Sequence, residues 1–76
     1  SNSLVWYTEE NSENDNLLKA DNLDFERVGD AYKIKIKNSR QALEITNKHT
    51  EIVDFEIIKG NMDDVFLTVT GKRLGD

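Results

Sequence analysis

Two segments of alternating apolar and polar residues flank Gly29-Asp30 in the middle of the chain, where residues 23–37 read LDFERVGDAYKIKIK. A two-residue loop with glycine first is typical of a type II′ hairpin turn. A register centred on this loop opposes apolar to apolar and acid to base, whereas a slip of one residue would invert every face. The predicted pairs are Phe25 with Ile34, Leu23 with Ile36, Glu26 with Lys33 and Asp24 with Lys35.

The hydrophobic pattern predicts a helix and then a strand after this hairpin. Asn38-Ser39 supplies cap residues, and residues 40–49 favour a short helix. The alternation over residues 51–59 favours a half-buried strand. The inward residues are predicted to be Ala42, Leu43, Ile45 and Thr46 of the helix, and Val53, Phe55 and Ile57 of the strand.

The pattern at the two ends of the chain predicts one strand and two short helices. Residues 4–9 favour a strand, and the polar NSENDN leads into a helix that contains Leu17, Leu18 and Ala20. Near the C-terminus, Asn61 is a cap candidate, and apolar residues follow at helical spacing as far as a stop at Gly71. These apolar residues are Met62, Val65, Phe66 and Val69.

The predicted order, β-α-β-β-α-β followed by a terminal helix, is that of the ferredoxin-like fold. We therefore expect an α+β sandwich in which a four-stranded antiparallel sheet carries two helices on one face. No repeat or internal linker occurs, so residues 4–76 are predicted to form a single domain. Residues 1–3 are interpreted as a disordered start, with Ser1-Asn2 as a cloning remnant, and the chain as a fragment of a longer protein.

The composition disfavours several classes of partner and site but does not indicate a specific function. The 76 residues carry 10 Lys+Arg against 15 Asp+Glu, for a formal net charge of -5, and contain no cysteine. The negative charge disfavours nucleic acid and anionic lipid as partners. Neither a disulfide framework nor a thiolate metal site is available. A soluble, acidic, globular domain compatible with the cytosol is the expectation.

No catalytic, cofactor-binding or metal-binding residue is predicted. Neither GxxxxGK[ST] nor GxGxxG occurs, so no glycine-rich loop binds a nucleotide here. His49 is the only histidine and is expected to be solvated near a helix end. Asp63 and Asp64 are explained by the dipole at a helix start. The acidic run over residues 9–15 lacks the spacing and the glycine of a calcium loop, and a solvated, mobile turn is expected there.

A basic ladder of Lys33, Lys35 and Lys37 raises the alternative of RNA binding on a ferredoxin-like sheet. The RNA-binding signature is absent from YKIKIK, and the hairpin register places acids opposite two of these lysines. An exposed face of ion pairs is therefore favoured. The terminal helix has more apolar surface than one stripe requires, which leaves open whether it covers its own sheet or contacts another domain or subunit.

The last third of the chain resembles a known family. Residues 54–76, DFEIIKGNMDDVFLTVTGKRLGD, are similar to the C-terminal end of ATP-binding subunits of bacterial ABC exporters. There a strand precedes the motif Pro-Ser-Leu-Glu-Asp-Val-Phe-Leu-x-Leu-Thr-Gly. This chain departs from it at Gly60, where proline is common, and at Val69, where leucine is commoner. The matching residues are Asn61, Met62, Asp63, Asp64, Val65, Phe66, Leu67, Thr70 and Gly71.

The resemblance implies a non-catalytic accessory domain that follows the nucleotide-binding domain of an exporter ATPase. ATP and Mg²⁺ would belong to that upstream domain, which would energise export on the cytoplasmic side of the membrane. The implied partners are the chain's own ATPase domain, a second ATPase subunit and, indirectly, the membrane component; a homodimer is a further expectation. The alternative is a stand-alone ferredoxin-like domain that senses a small molecule as a dimer.

Overall fold

The computed structural model describes residues 2–60, which form four strands and two helices. The predicted α+β class, with a four-stranded antiparallel sheet and two helices, is confirmed for this part of the chain. The predicted terminal helix lies outside the described residues. The elements are β1 (Asn2–Tyr7), α1 (Ser12–Ala20), β2 (Phe25–Val28), β3 (Ala31–Ile36), α2 (Ser39–Lys48) and β4 (Phe55–Ile58).

The sheet has the strand order β2-β3-β1-β4, and every neighbouring pair is antiparallel. Since β1 and β2 are both antiparallel to β3, they run in the same direction with β3 between them. The crossover through α1 therefore skips one strand. The crossover through α2 does the same, because it joins β3 to β4 on the far side of β1. Among the described strands, β2 and β4 are therefore the two edges of the sheet.

The central hairpin has the predicted register. Phe25 lies opposite Ile34 and Glu26 opposite Lys33 in the β2–β3 ladder. The backbone N–H of Lys35 donates to the carbonyl of Asp24 at 2.8 Å, which extends the same register beyond β2. The turn places its first residue, Gly29, at φ 59°. This left-handed conformation is what a type II′ turn requires at its first central position, and glycine adopts it without a steric penalty.

The N-terminal part of the chain is more ordered than its sequence predicts. β1 begins at Asn2, and Ser3 is buried and paired with both β3 and β4. The expectation of a disordered start is therefore wrong for these two residues. Helix α1 begins at Ser12, several residues earlier than predicted, because the side chain of Asn11 caps it by accepting from the N–H of Asn14 at 2.7 Å.

The acidic run over residues 9–15 is only in part the solvated turn that was predicted, since Glu9 and Glu10 are exposed and precede α1. Glu13 and Asp15 lie in the first turn of α1, where the helix dipole favours negative charge. The hydroxyl of Tyr32 donates to Oδ1 of Asp15 at 2.6 Å, and the N–H of Asn11 donates to that hydroxyl at 3.2 Å. Burial, and then the hydrogen bond to Asp15, raise the pKa of Tyr32. This buried tyrosine thus ties the start of α1 to the sheet.

The hydrophobic core lies between the two helices and one face of the sheet. Leu18 of α1 and Ala42 and Ile45 of α2 pack there against side chains from the central strands. The ring of Tyr32 lies 5.5 Å from that of Trp6 and 5.8 Å from that of Phe25, measured between centroids. The buried members of this cluster are Leu4, Trp6, Leu18, Tyr32, Ile34, Ile36, Ala42, Ile45 and Ile52.

Two predicted inward residues face solvent instead. Leu43 of α2 is 55% exposed and Val53 is 79% exposed. β4 comprises only Phe55–Ile58, and the chain before it is irregular, so the predicted alternation over residues 51–59 does not hold at its start. In that irregular segment Ile52, not Val53, is buried in the core. The strand prediction was therefore correct in type but too long at both ends.

Candidate interaction surface

The residues singled out by the family resemblance, Asn61 to Leu67 with Thr70 and Gly71, all lie outside the described residues. Gly60, the last described residue, shows where this segment starts. It has a φ of 57°, and a Cβ added to it would lie 3.3 Å from Oδ1 of Asn2. The side-chain amide of Asn2 also donates to the carbonyl of Lys37 at 2.6 Å. Gly60 therefore lies beside the first residue of β1.

Exposed apolar side chains are concentrated around β4. Among the described residues, five large hydrophobic side chains are exposed, and three of them belong to residues 53–58. Phe55 is 37% exposed and Ile58 is 41% exposed. Phe55 lies opposite Trp6 on the helix-covered face, while Ile58 lies opposite Ser3 on the other face. Apolar surface is therefore available on both sides of this edge strand, which is a feature of protein interaction sites.

The face of the sheet opposite α1 and α2 carries mixed charge. Lys33 lies between Glu26 on β2 and Val5 on β1, and Val5 in turn lies opposite Glu56 on β4. The acids thus oppose the basic ladder as predicted, but the side chains of Glu26 and Lys33 form no ion pair. Within residues 2–60, the one ion pair between a lysine and a carboxylate joins Lys48 to Asp21. A face with alternating signs does not present the continuous positive stripe of a nucleic-acid site.

One side-chain contact on this face links β1 to β4. The hydroxyl of Tyr7 donates to Oε1 of Glu56. This hydrogen bond and the nearby negative charge of Glu56 contribute to a raised pKa of Tyr7, since both favour the protonated phenol. The carboxylate of Glu56 is therefore turned over the sheet toward β1.

A charged cluster joins the C-terminal ends of the two helices. Asp21 caps α1, and its carboxylate accepts from Nζ of Lys48 at 2.6 Å and contacts Nε2 of His49 at 2.9 Å. The hydrogen bond from Lys48, followed by that from His49, holds the pKa of Asp21 below its ordinary value. The side chain of His49 is only 14% exposed, so the prediction of a solvated histidine is wrong. Asp21, Lys48 and His49 therefore link the ends of the two helices.

An open groove lies between the hairpin and α2. It has a volume of about 280 Å³, and Leu23 and Ile36 are its apolar lining residues. Lys35, Lys37 and Asp24 also line it, and all three are exposed. Among residues 2–60, no group of three or more His, Asp or Glu side chains could hold a metal ion.

Searches against protein-family models, curated proteins and solved structures found no match to this chain. Within residues 2–60, neither helix has the length and apolar character needed to span a bilayer. The exposed β4 edge and the Asp21 cluster were missed by sequence reasoning. The alternation around Phe55 was visible, but the edge position of β4 depends on the strand order. No local signal connected Asp21 with His49, which are 28 residues apart.

Proposed function

We propose that the chain is a non-catalytic interaction domain of the ATP-binding subunit of an ABC exporter, and that it packs beside the ATPase domain. The motif resemblance of residues 54–76 supports this assignment. ATP and Mg²⁺ then belong to the upstream domain, and the chain acts on the cytoplasmic side of the membrane through the transporter complex. Its effect on ATP hydrolysis is exerted through contact, without a reactive group of its own.

We further propose that the domain is ferredoxin-like. The strand order β2-β3-β1-β4 and the two crossovers that each skip one strand support this finer assignment. Within residues 2–60, both helices pack on one face of the sheet. The opposite face and the β4 edge are the surfaces that we assign to contact with a neighbouring domain.

The observation that carries the proposal is the proximity of Gly60 to Asn2. Antiparallel pairing of β1 with β4 brings the end of β4 back to the start of β1, where Ser3 lies opposite Ile58. In a longer protein, a domain that precedes Asn2 is covalently held at this same end of the sheet. The motif that begins at Asn61 is then within reach of that domain at a high effective concentration.

The test is to mix the purified chain with the ATPase domain of its parent subunit, and to measure association by calorimetry and the rate of ATP hydrolysis. We expect binding together with a changed rate. Phe66→Ala, in the motif, should weaken binding, whereas Leu43→Ala on the exposed face of α2 serves as the matched control and should not. The absence of both binding and a rate change would overturn the proposal.

A further inference from the structure

The outer edge of β4 presents main-chain groups that pair with no other described residue. The N–H of Tyr7 donates to the carbonyl of Asp54 at 2.8 Å, which makes these two residues a hydrogen-bonded pair of the β1–β4 ladder. In an antiparallel ladder, alternate residues direct their N–H and C=O groups to opposite sides. Phe55 and Ile57 therefore direct theirs away from β1. Outward groups of this kind along an edge strand form a template for another strand.

The two edges of the sheet differ in how well they resist such pairing. The centre of β2 carries two consecutive charged residues, Glu26 and Arg27. The centre of β4 carries Glu56, whose carboxylate is held over the sheet by Tyr7, and then Ile57 and Ile58. Charged side chains protect an edge strand, whereas exposed apolar ones favour association. Within the described residues, β4 is thus the edge strand that is less protected against pairing with another chain.

We propose that β4 pairs antiparallel with β4 of a second copy of this chain, so that the two sheets become one continuous sheet. The two-fold axis passes next to Ile57, which lies opposite Ile57 of the second copy. Phe55 then lies opposite Lys59 of the second copy, and Glu56 opposite Ile58. This inference rests on the proposed role as an interaction domain and names its partner.

The charge pattern selects both the partner and the register. A two-fold axis perpendicular to the sheet keeps the helix-covered faces on the same side, so only residues on equivalent faces can be opposed. Shifting the axis to Glu56 would oppose two carboxylates, which is destabilising. The axis at Ile57 opposes no like charges and satisfies the outward main-chain groups of both copies. The strand is therefore complementary to itself, and because it has only four residues the dimer should be concentration-dependent.

Single cysteines provide the test, because the chain contains none of its own. Opposed residues of a hydrogen-bonded pair have Cα atoms about 5.5 Å apart, a separation that a disulfide bridges. Ile57→Cys should therefore form a disulfide dimer under mild oxidation, and faster at higher protein concentration. Val28→Cys on the β2 edge is the matched control, since Val28 is 50% exposed, and should react much more slowly. Circular dichroism of each variant checks that it is folded.

Each result either supports the inference or overturns it. Faster cross-linking at Ile57→Cys, with sedimentation equilibrium showing a reversible dimer of the unmodified chain, supports it. Equal rates at both cysteines, or faster cross-linking of Glu56→Cys, would overturn the proposed register. A monomer whose amides at Phe55 and Ile57 are protected at every concentration would show that the chain covers this edge itself, and would overturn the dimer. No ATPase domain is present in this experiment, so failure here is distinct from failure of the ATPase association.

Discussion

Removing the hydroxyl group of Tyr32 tests how the start of α1 is fixed to the sheet. Tyr32→Phe retains the ring, which is fully buried and contacts Trp6 and Phe25, so the packing of the core is unchanged. The variant loses the hydrogen bond to Asp15, and a hydrogen bond to a charged group contributes about 1.5–3 kcal/mol. Asp15 is half-buried and regains some water, so the lower end of that range applies, about 1.5 kcal/mol.

Urea denaturation followed by circular dichroism measures the loss of unfolding free energy in Tyr32→Phe directly. For a domain of this size, a loss of about 1.5 kcal/mol corresponds to a decrease in Tm of roughly 6–12 °C. Tyr7→Phe is the matched control, because its hydroxyl lies at the surface and its loss should cost less. A double-mutant cycle with Asp15→Ala should show a coupling of about 1 kcal/mol. Additive effects, or a cost of Tyr32→Phe no larger than that of Tyr7→Phe, would refute the proposed tether.

Two further predictions concern the core and the helix ends. Leu18→Ala should lower the free energy of unfolding by about 2–5 kcal/mol, because Leu18 is fully buried. Leu43→Ala is the control, and it should change this free energy by less than about 0.5 kcal/mol, because Leu43 is exposed. Equal losses of stability in urea denaturation would contradict the burial of Leu18. The lowered pKa of Asp21 adds stability above the ordinary aspartate pKa of about 3.9, and this stability is lost as the pH falls through the lowered value. Unfolding curves of the wild type and of Asp21→Asn should therefore converge in acid and separate above about pH 4, and parallel curves at every pH would exclude the contribution of this carboxylate.

The hairpin was predictable because its signals are local and agree with one another. Gly29 fits the turn, and the alternation on either side opposes Phe25 to Ile34, so only one register buries the apolar face. Helix α2 was also predictable within one residue at each end, because Asn38 is a strong N-cap and accepts from the N–H of Gln41 at 3.0 Å. In these segments the turn chemistry, the capping and the hydrophobic pattern all indicate the same structure.

Prediction failed where a residue's environment is determined by distant parts of the chain. The attachment of α1 to the sheet depends on Tyr32, which lies 17 residues after Asp15 in the sequence and reaches it only when β3 is in the sheet. The burial of Ser3 similarly depends on β1 being central, between β3 and β4. Val53 precedes the strand that it was predicted to join, and it carries an apolar side chain without a place in the core.

The strand order, which depends on residues far apart in the sequence, also determines how β4 is exposed for contact with other proteins. Local alternation predicts that residues such as Phe55 will be half-buried, but only the strand order determines that one side of β4 faces β1 while the other side faces away. Among the described strands, β1 lies between β3 and β4, which leaves β4 at the edge, and Gly60 after it lies beside Asn2. The proposed contact with an upstream ATPase domain and the proposed pairing of two copies both make use of this position of β4. A contact at the end of β4 and a second along its outer edge would couple association of two copies to the position of the ATPase domain, because both act on the same four residues.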